Sequence, residues 1–221
     1  MLRSLCIAFI AFGFAVPAIA GQGDIDKVNG SIRLDANETG GDLTTVNGSI
    51  RLGEGAHAGA LETVNGSIEL AGNAVARSAN TVNGHVSLEQ NARIERTVEA
   101  VNGAITLERG ADVAGKVSNV NGALTLHAAH VGGGLETASG DMEIGSDSHV
   151  EGGLLVDKPT GFSSWFAWVE RKPHIVIGPH AVVAGTLDIR RDVDLYVSDS
   201  ATIGTVSGAK AIGFSGDSPP L

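Results

Sequence analysis

The sequence predicts an all-β protein, a single-stranded β-helix (β-solenoid) of about nine turns with 18–19 residues per turn. Three observations predict it. A Val-Asn-Gly triplet recurs at Val28, Val46, Val64, Val82, Val101 and Val120, in steps of 18, 18, 18, 19 and 19 residues. Each triplet is followed by a short apolar–polar–apolar run, and two further apolar columns return in the copies. A fixed repeat of this length decides the architecture. One copy cannot bury its own apolar face, whereas stacked copies share one continuous core.

Residues 1–20 stand outside the repeat. Arg3 gives a positive start, Leu5 to Val16 is apolar, and Ala18-Ile19-Ala20 places small residues just before Gly21. That order predicts a secretory signal peptide cleaved before Gly21. The apolar run is shorter than the roughly 20 residues a spanning helix needs. The expectation is therefore an exported protein, periplasmic, secreted or at the cell surface, with no transmembrane segment after cleavage. The mature part has no cysteine, because Cys6 lies in the leader. Stability is then expected from packing and backbone hydrogen bonds, without disulfides.

Residues 21–156 carry the solenoid repeats. Four positions after each Val come Ile32, Ile50, Ile68, Val86, Ile105, Leu124 and Met142; six after come Leu34, Leu52, Leu70, Leu88, Leu107, Leu126 and Ile144. The residue between them is polar throughout, so the segment reads as a strand with one buried face. The seventh copy carries Ala138-Ser139-Gly140 in place of the triplet. A further column is formed by Val75, Ile94, Val113, Val131 and Val150, and another by Leu43, Leu61, Ala79, Val98, Val117, Leu135 and Leu154. The extra residue of the 19-residue copies is expected at the corner after the Leu strand. Stacking also aligns Asn29, Asn47, Asn65, Asn83, Asn102 and Asn121 into an expected structural amide ladder. The glycine after each Asn is expected to supply a positive φ at the corner.

The rhythm breaks at residues 157–173, an insertion rich in aromatics, and resumes over 174–214, where Ile177, Val182, Leu187, Leu195, Val197, Ile203 and Val206 continue the pattern. Residues 215–221 read as a flexible tail. Asp217, Pro219 and Pro220, like the acidic start Asp24-Ile25-Asp26, are expected to shield the terminal strand edges from self-association.

The formal charge is −10, or −11 once Arg3 is removed with the leader. An acidic protein is a poor match for nucleic acid or anionic lipid as main partner. No cofactor or metal is expected. His57 and His149 fall at equivalent positions but five turns apart, and His127 and His130 have no third ligand apparent at neighbouring turns. Asp188, Asp192 and Asp194, set among Arg190 and Arg191, are the acidic cluster a glycan-cleaving β-helix would need, but they read as solvated surface residues. The leading candidate for binding is Phe162, Trp165, Phe166 and Trp168, four of the six aromatics of the mature protein. Such a cluster suits a protein contact, stacking on a glycan or a membrane surface, the alternative being that it folds back to cover a solenoid face or seam.

The repeated Val-Asn-Gly-Ser-Ile-Arg-Leu unit, from Asp24 to about Leu155, resembles the adhesin-like head domains of exported bacterial proteins. The stretch from Ile175 to Val206 is similar to the bactofilins. The first resemblance implies an envelope adhesin-like or binding module without catalytic activity, with an envelope glycan or another envelope protein as partner. The second implies a polymer-forming scaffold that self-associates. Neither brings catalytic residues to this sequence.

Overall fold

The computed structural model describes residues 23–158 and 172–219. Among these the regular elements are all β-strands, and every strand pairs in parallel with its neighbour one turn away. The protein is a β-solenoid, and each turn visits three strand columns. The Leu face is a ten-stranded sheet running from Ile32–Leu34 and Ile50–Leu52 to Asp194–Ser198 and Ala211–Phe214. It therefore has ten rungs against the nine or so read from the repeat. The tenth, Ala211–Phe214, has no triplet to announce it. Nine intervals of about 4.8 Å give a rod about 43 Å long.

A short face follows, built of two-residue strands such as Arg93–Ile94, Asp112–Val113, His130–Val131 and His149–Val150. The third column, the Asn face, includes Leu43–Asn47, Val98–Asn102 and Val117–Asn121. In two turns a single nine-residue strand, His57–Asn65 or Val75–Asn83, runs through both of these faces. The cause is corner length. Ala76 and Ala79 are joined by two residues, which keep the strand unbroken, whereas Ile94 and Val98 are joined by three, Glu95 to Thr97. The extra residue of the long copies thus sits at the second corner, not after the Leu strand as the repeat alignment predicts. The same pairing corrects one core position. Val75 pairs with Arg93 on the outer side, and Ala76, fully buried, pairs with Ile94.

The core consists of inward columns in which Leu, Ile and Val are almost completely buried from Ile32 to Leu195. Each such side group removed from water contributes about 1.5–3 kcal/mol. Two columns escape the apolar pattern. Small alanines Ala56, Ala74, Ala92, Ala111 and Ala181 fill the first corner. Buried Thr45, Thr63 and Thr81 donate their hydroxyls to the carbonyls of Gly30, Gly48 and Gly66 one turn below, at 3.1, 2.9 and 2.9 Å. These bonds give each buried hydroxyl a partner and tie the corner carbonyl to the next turn.

Left-handed backbone does occur, but mainly at the first corner. Asn37, Gly55, Asn73, Asn91, Gly110, Asp147 and His180 occupy it with φ between 57° and 74°. Gly tolerates this region best, and Asn, Asp and His are the other residues enriched in it. Among the triplet glycines only Gly30 and Gly122 are left-handed, at 108° and 128°. Gly48, Gly66, Gly84 and Gly103 are required for another reason: a Cβ there would stand 1.9–2.2 Å from the glycine carbonyl oxygen of the turn below. The corner's positive φ expected from Asn-Gly is therefore replaced by close backbone stacking.

One left-handed residue has no such excuse. Ala128, at φ 46°, sits in a first corner shortened to His127-Ala128 between Leu126 and Ala129. A Cβ in this region costs about 1–2 kcal/mol. Ala128→Gly is expected to raise the unfolding free energy by about 1 kcal/mol, because the strain relieved exceeds the added entropy of the unfolded state. Chemical denaturation checks it.

Of the residues expected to shield the last rung, Asp217 and Pro219 do not stand over it, and Pro220 lies outside the described residues. Gly216 takes φ 96°, and Asp217, Ser218 and Pro219 lie on the flank beside Glu143, Gly145, Gly178 and Pro179 of the seventh and eighth rungs. Ala211, Ile212 and Gly213 are exposed, and Ala211–Phe214 pairs with another strand on one side only.

Candidate functional site

On the Asn face, inward Leu43 and Thr45 alternate with outward Thr44 and Val46, so the Val of each triplet points to solvent. Val28 is 65% exposed, and Val46, Val64, Val82, Val101 and Val120 are half-buried in file. Beside this stripe run the Asn side groups. Asn47, Asn65, Asn83, Asn102 and Asn121 each donate Nδ2 to Oδ1 of the Asn one turn nearer the N-terminus, at 2.9–3.1 Å. On the other side of the stripe, register pairs Asp26, Thr44, Glu62, Asn80, Glu99, Ser118 and Glu136 in one outward file, which Asp188 continues after Leu155. Acids thus fall at every second turn, about 9.6 Å apart. Adjacent carboxylates at half that distance would repel more strongly. The face is a flat apolar stripe with a polar amide rail on one side and spaced carboxylates on the other, of which Glu136 and Asp188 are paired with Lys116 and Arg190.

The short face gathers the imidazoles. Its outward file reads Arg93, Asp112, His130 and His149 on successive turns. Asp112 is gripped from both sides, by Arg93 Nε at 3.1 Å and His130 Nδ1 at 2.6 Å, while His130 Nε2 lies 3.3 Å from Glu151. The His130 and His149 rings stack at 5.7 Å. His57 lies in this same file five turns from His149, as the repeat predicts, whereas the search for a third metal ligand near His127 and His130 leaves the neighbouring His149 unnoticed. The signal for the pair is present, because each His directly precedes a Val of the same core column, Val131 and Val150. The hydrogen bond to Asp112 raises the His130 pKa above its ordinary 6.5, with burial opposing and Glu151 reinforcing. Protonated His130 thus favours the folded state fully below pH 6.5, and the contribution fades as pH rises through the raised value. The stability of the wild type is expected to fall more between mildly acidic and mildly alkaline pH than that of His130→Gln. Denaturation midpoints at both pH values measure the difference.

On the Leu face, Arg51 forks onto Glu69 at 2.7 and 2.8 Å, holding that carboxyl below the usual carboxylate range. Near the C-terminal end the acidic residues are divided among separate partners. Asp188 is bound by Arg190 at 2.8 Å, Asp192 lies 4.0 Å from Lys172, and Asp194 lies 3.9 Å from His174 on the Leu face. At the N-terminal end a shallow cleft is walled by Gly40, Gly41 and Gly59 and closed by the Asp42–Arg77 pair at 2.7 Å.

Phe162, Trp165, Phe166 and Trp168 lie outside the described residues. The backbone leaves the Asn face after Leu154–Val156 and returns to the Leu face at His174–Ile177. Among the described residues no group of three His, Cys, Asp or Glu residues is arranged to hold a metal ion, and no helix is long and apolar enough to cross a membrane. Comparison with protein-family models, curated proteins and solved structures finds no match.

Proposed function

We propose that this protein is an exported, non-catalytic, adhesin-like binding module of the cell envelope, and that its Asn face is the contact surface. The observation that supports this reading is the outward file of six valines, about 24 Å long at the strand spacing, flanked by acids at every second turn. Outward β positions in contact only with water are ordinarily polar, and a contiguous apolar stripe rimmed by polar groups suits a partner. The spaced carboxylates favour another envelope protein with a basic, partly apolar face over an acidic polymer. The leader sequence supports export.

Cosedimentation with envelope preparations tests the reading. The Val64→Glu/Val101→Glu double variant is expected to lose at least about tenfold in binding while keeping its β circular dichroism, as truncating an interface hot spot does. Wild-type binding is expected to weaken with salt. Equal binding by the variant, or release of sugars from envelope glycan by the wild type, would overturn the proposal.

A second reading, a self-associating scaffold, is favoured by one observation: Ala211–Phe214 pairs on one side only among the described residues. Light scattering and negative-stain microscopy separate the two. A monodisperse short rod at all concentrations supports the binding module; concentration-dependent filaments support the scaffold.

A further inference from the structure

We propose that Asn121-Gly122 is a site of spontaneous backbone rearrangement, the one Asn-Gly pair of the six that the fold leaves open to succinimide formation. In this reaction the Gly amide nitrogen attacks Cγ of the preceding Asn. A new bond forms between that nitrogen and Cγ, the bond from Cγ to Nδ2 breaks, and ammonia leaves with the proton lost from the Gly amide. Water then opens the five-membered imide at either carbonyl, giving aspartate or isoaspartate. No oxidant or other reactant is needed. Glycine is the favourable follower because it has no Cβ to obstruct the attack, so all six pairs of this protein are reactive by composition.

The fold separates them. Five of the attacking nitrogens are engaged in the stack. Gly30, Gly48, Gly66, Gly84 and Gly103 donate their N–H to the backbone carbonyls of Asn47, Asn65, Asn83, Asn102 and Asn121, at 2.9–3.1 Å. Gly122 N–H makes no such bond: Ser139, at this place on the next turn, donates its own N–H to Val120, but its carbonyl receives nothing from Gly122. The electrophile is also less restrained. Asn29, Asn47, Asn65, Asn83 and Asn102 each accept an amide bond on Oδ1 from the Asn above, whereas Asn121 ends the ladder and only donates. Strand pairing ends here too. Asn121 pairs with Asn102 below, while above it the register with Leu135–Thr137 stops at Ser118. Gly122, left-handed at φ 128°, further marks a corner unlike the interior ones.

Attack requires the Asn to leave its strand geometry, so the rate follows the population of locally opened states. Each net hydrogen bond absent at Asn121-Gly122 favours opening, and two absent bonds are expected to make Asn121 convert about tenfold faster than the interior sites. The product deepens the opening. A carboxylate in place of the amide sets oxygen against Asn102 Oδ1, and isoaspartate adds a backbone atom that breaks the register.

Incubation of the purified mature protein in mildly alkaline buffer, followed by peptide mapping with electron-based fragmentation, measures conversion at each of the six sites. Rates are normalised to those of the urea-unfolded protein. The expected result is conversion at Asn121 about tenfold ahead of Asn47, Asn65 and Asn83. Equal normalised rates at all six, or a faster interior site, would overturn the proposal. The Ser139→Asn variant provides a second arm. The new exposed amide extends the ladder by one bond to Asn121 Oδ1, and conversion at Asn121 is expected to fall towards the interior rate. An unchanged rate with the β-structure intact refutes the assignment.

Discussion

Gly66→Ala lowers the unfolding free energy by about 3 kcal/mol, at the upper end of what overpacking costs. The added methyl would lie 2.0 Å from the Gly48 carbonyl oxygen and 2.4 Å from its carbon. Both belong to backbone held in register by Thr63 and by the Gly48 N–H bond to Asn65, so neither can swing aside as the end of a flexible side group would. Relief requires separating two rungs, which weakens hydrogen bonds on all three faces. Gly72→Ala is the matched control. Its methyl meets only the Gln90 carbonyl oxygen, at 3.4 Å, and it is expected to be neutral or to stabilise by a few tenths of a kcal/mol through the unfolded state. Urea denaturation of the two variants measures the contrast, and equal midpoints would refute the stacking argument.

Leu70→Ala costs about 3–4 kcal/mol, within the range for large-to-small changes in rigid cores. Leu70 is fully buried, with Leu52 below and Leu88 above in the same column. Both neighbours are locked by their own pairings, so the cavity cannot collapse. Val206→Ala, in the half-buried last rung above Leu187, is expected to cost only about 1 kcal/mol, the transfer value of the lost methyls without a cavity. A solenoid whose stability is a sum over neighbouring rungs requires this inequality. Comparable losses at both positions would contradict it.

Much of this fold is legible in the sequence. The Ile32 and Leu34 columns and the file of asparagines follow from a period near 18, because like residues stack only if turns do. Recurrence alone, however, does not distinguish inside from outside. Val28 and its successors recur as faithfully as Leu34 and its successors, yet face solvent; only the two-residue alternation counted back to the buried Leu43 and Thr45 settles their side. Thr45, Thr63 and Thr81 escape a reading by hydrophobicity, because a threonine column looks like surface until the carbonyls it serves are known. The extra residue of the long turns is misplaced for a similar reason. Val75 is apolar and Ala76 is small, so hydrophobicity favours the wrong member of the pair, and the shift it implies falls at the wrong corner. The His130–His149 pair emerges only when each histidine is aligned by the Val that follows it. The aromatic candidates lie where the repeat gives no register at all.

The Asn rail has a consequence for the rod as a whole. All five of its bonds run in the same direction, each donated towards the N-terminus. Rotating a single interior amide would set nitrogen against nitrogen on one side and oxygen against oxygen on the other, losing two bonds together. Such a defect cannot be healed locally; it can only travel along the file until it leaves at an end. The six dipoles are therefore ordered as a unit, like molecules in one column of a polar crystal. They add to a field along the axis that distinguishes one end of the rod from the other, even over the stretch where successive turns are almost identical in sequence.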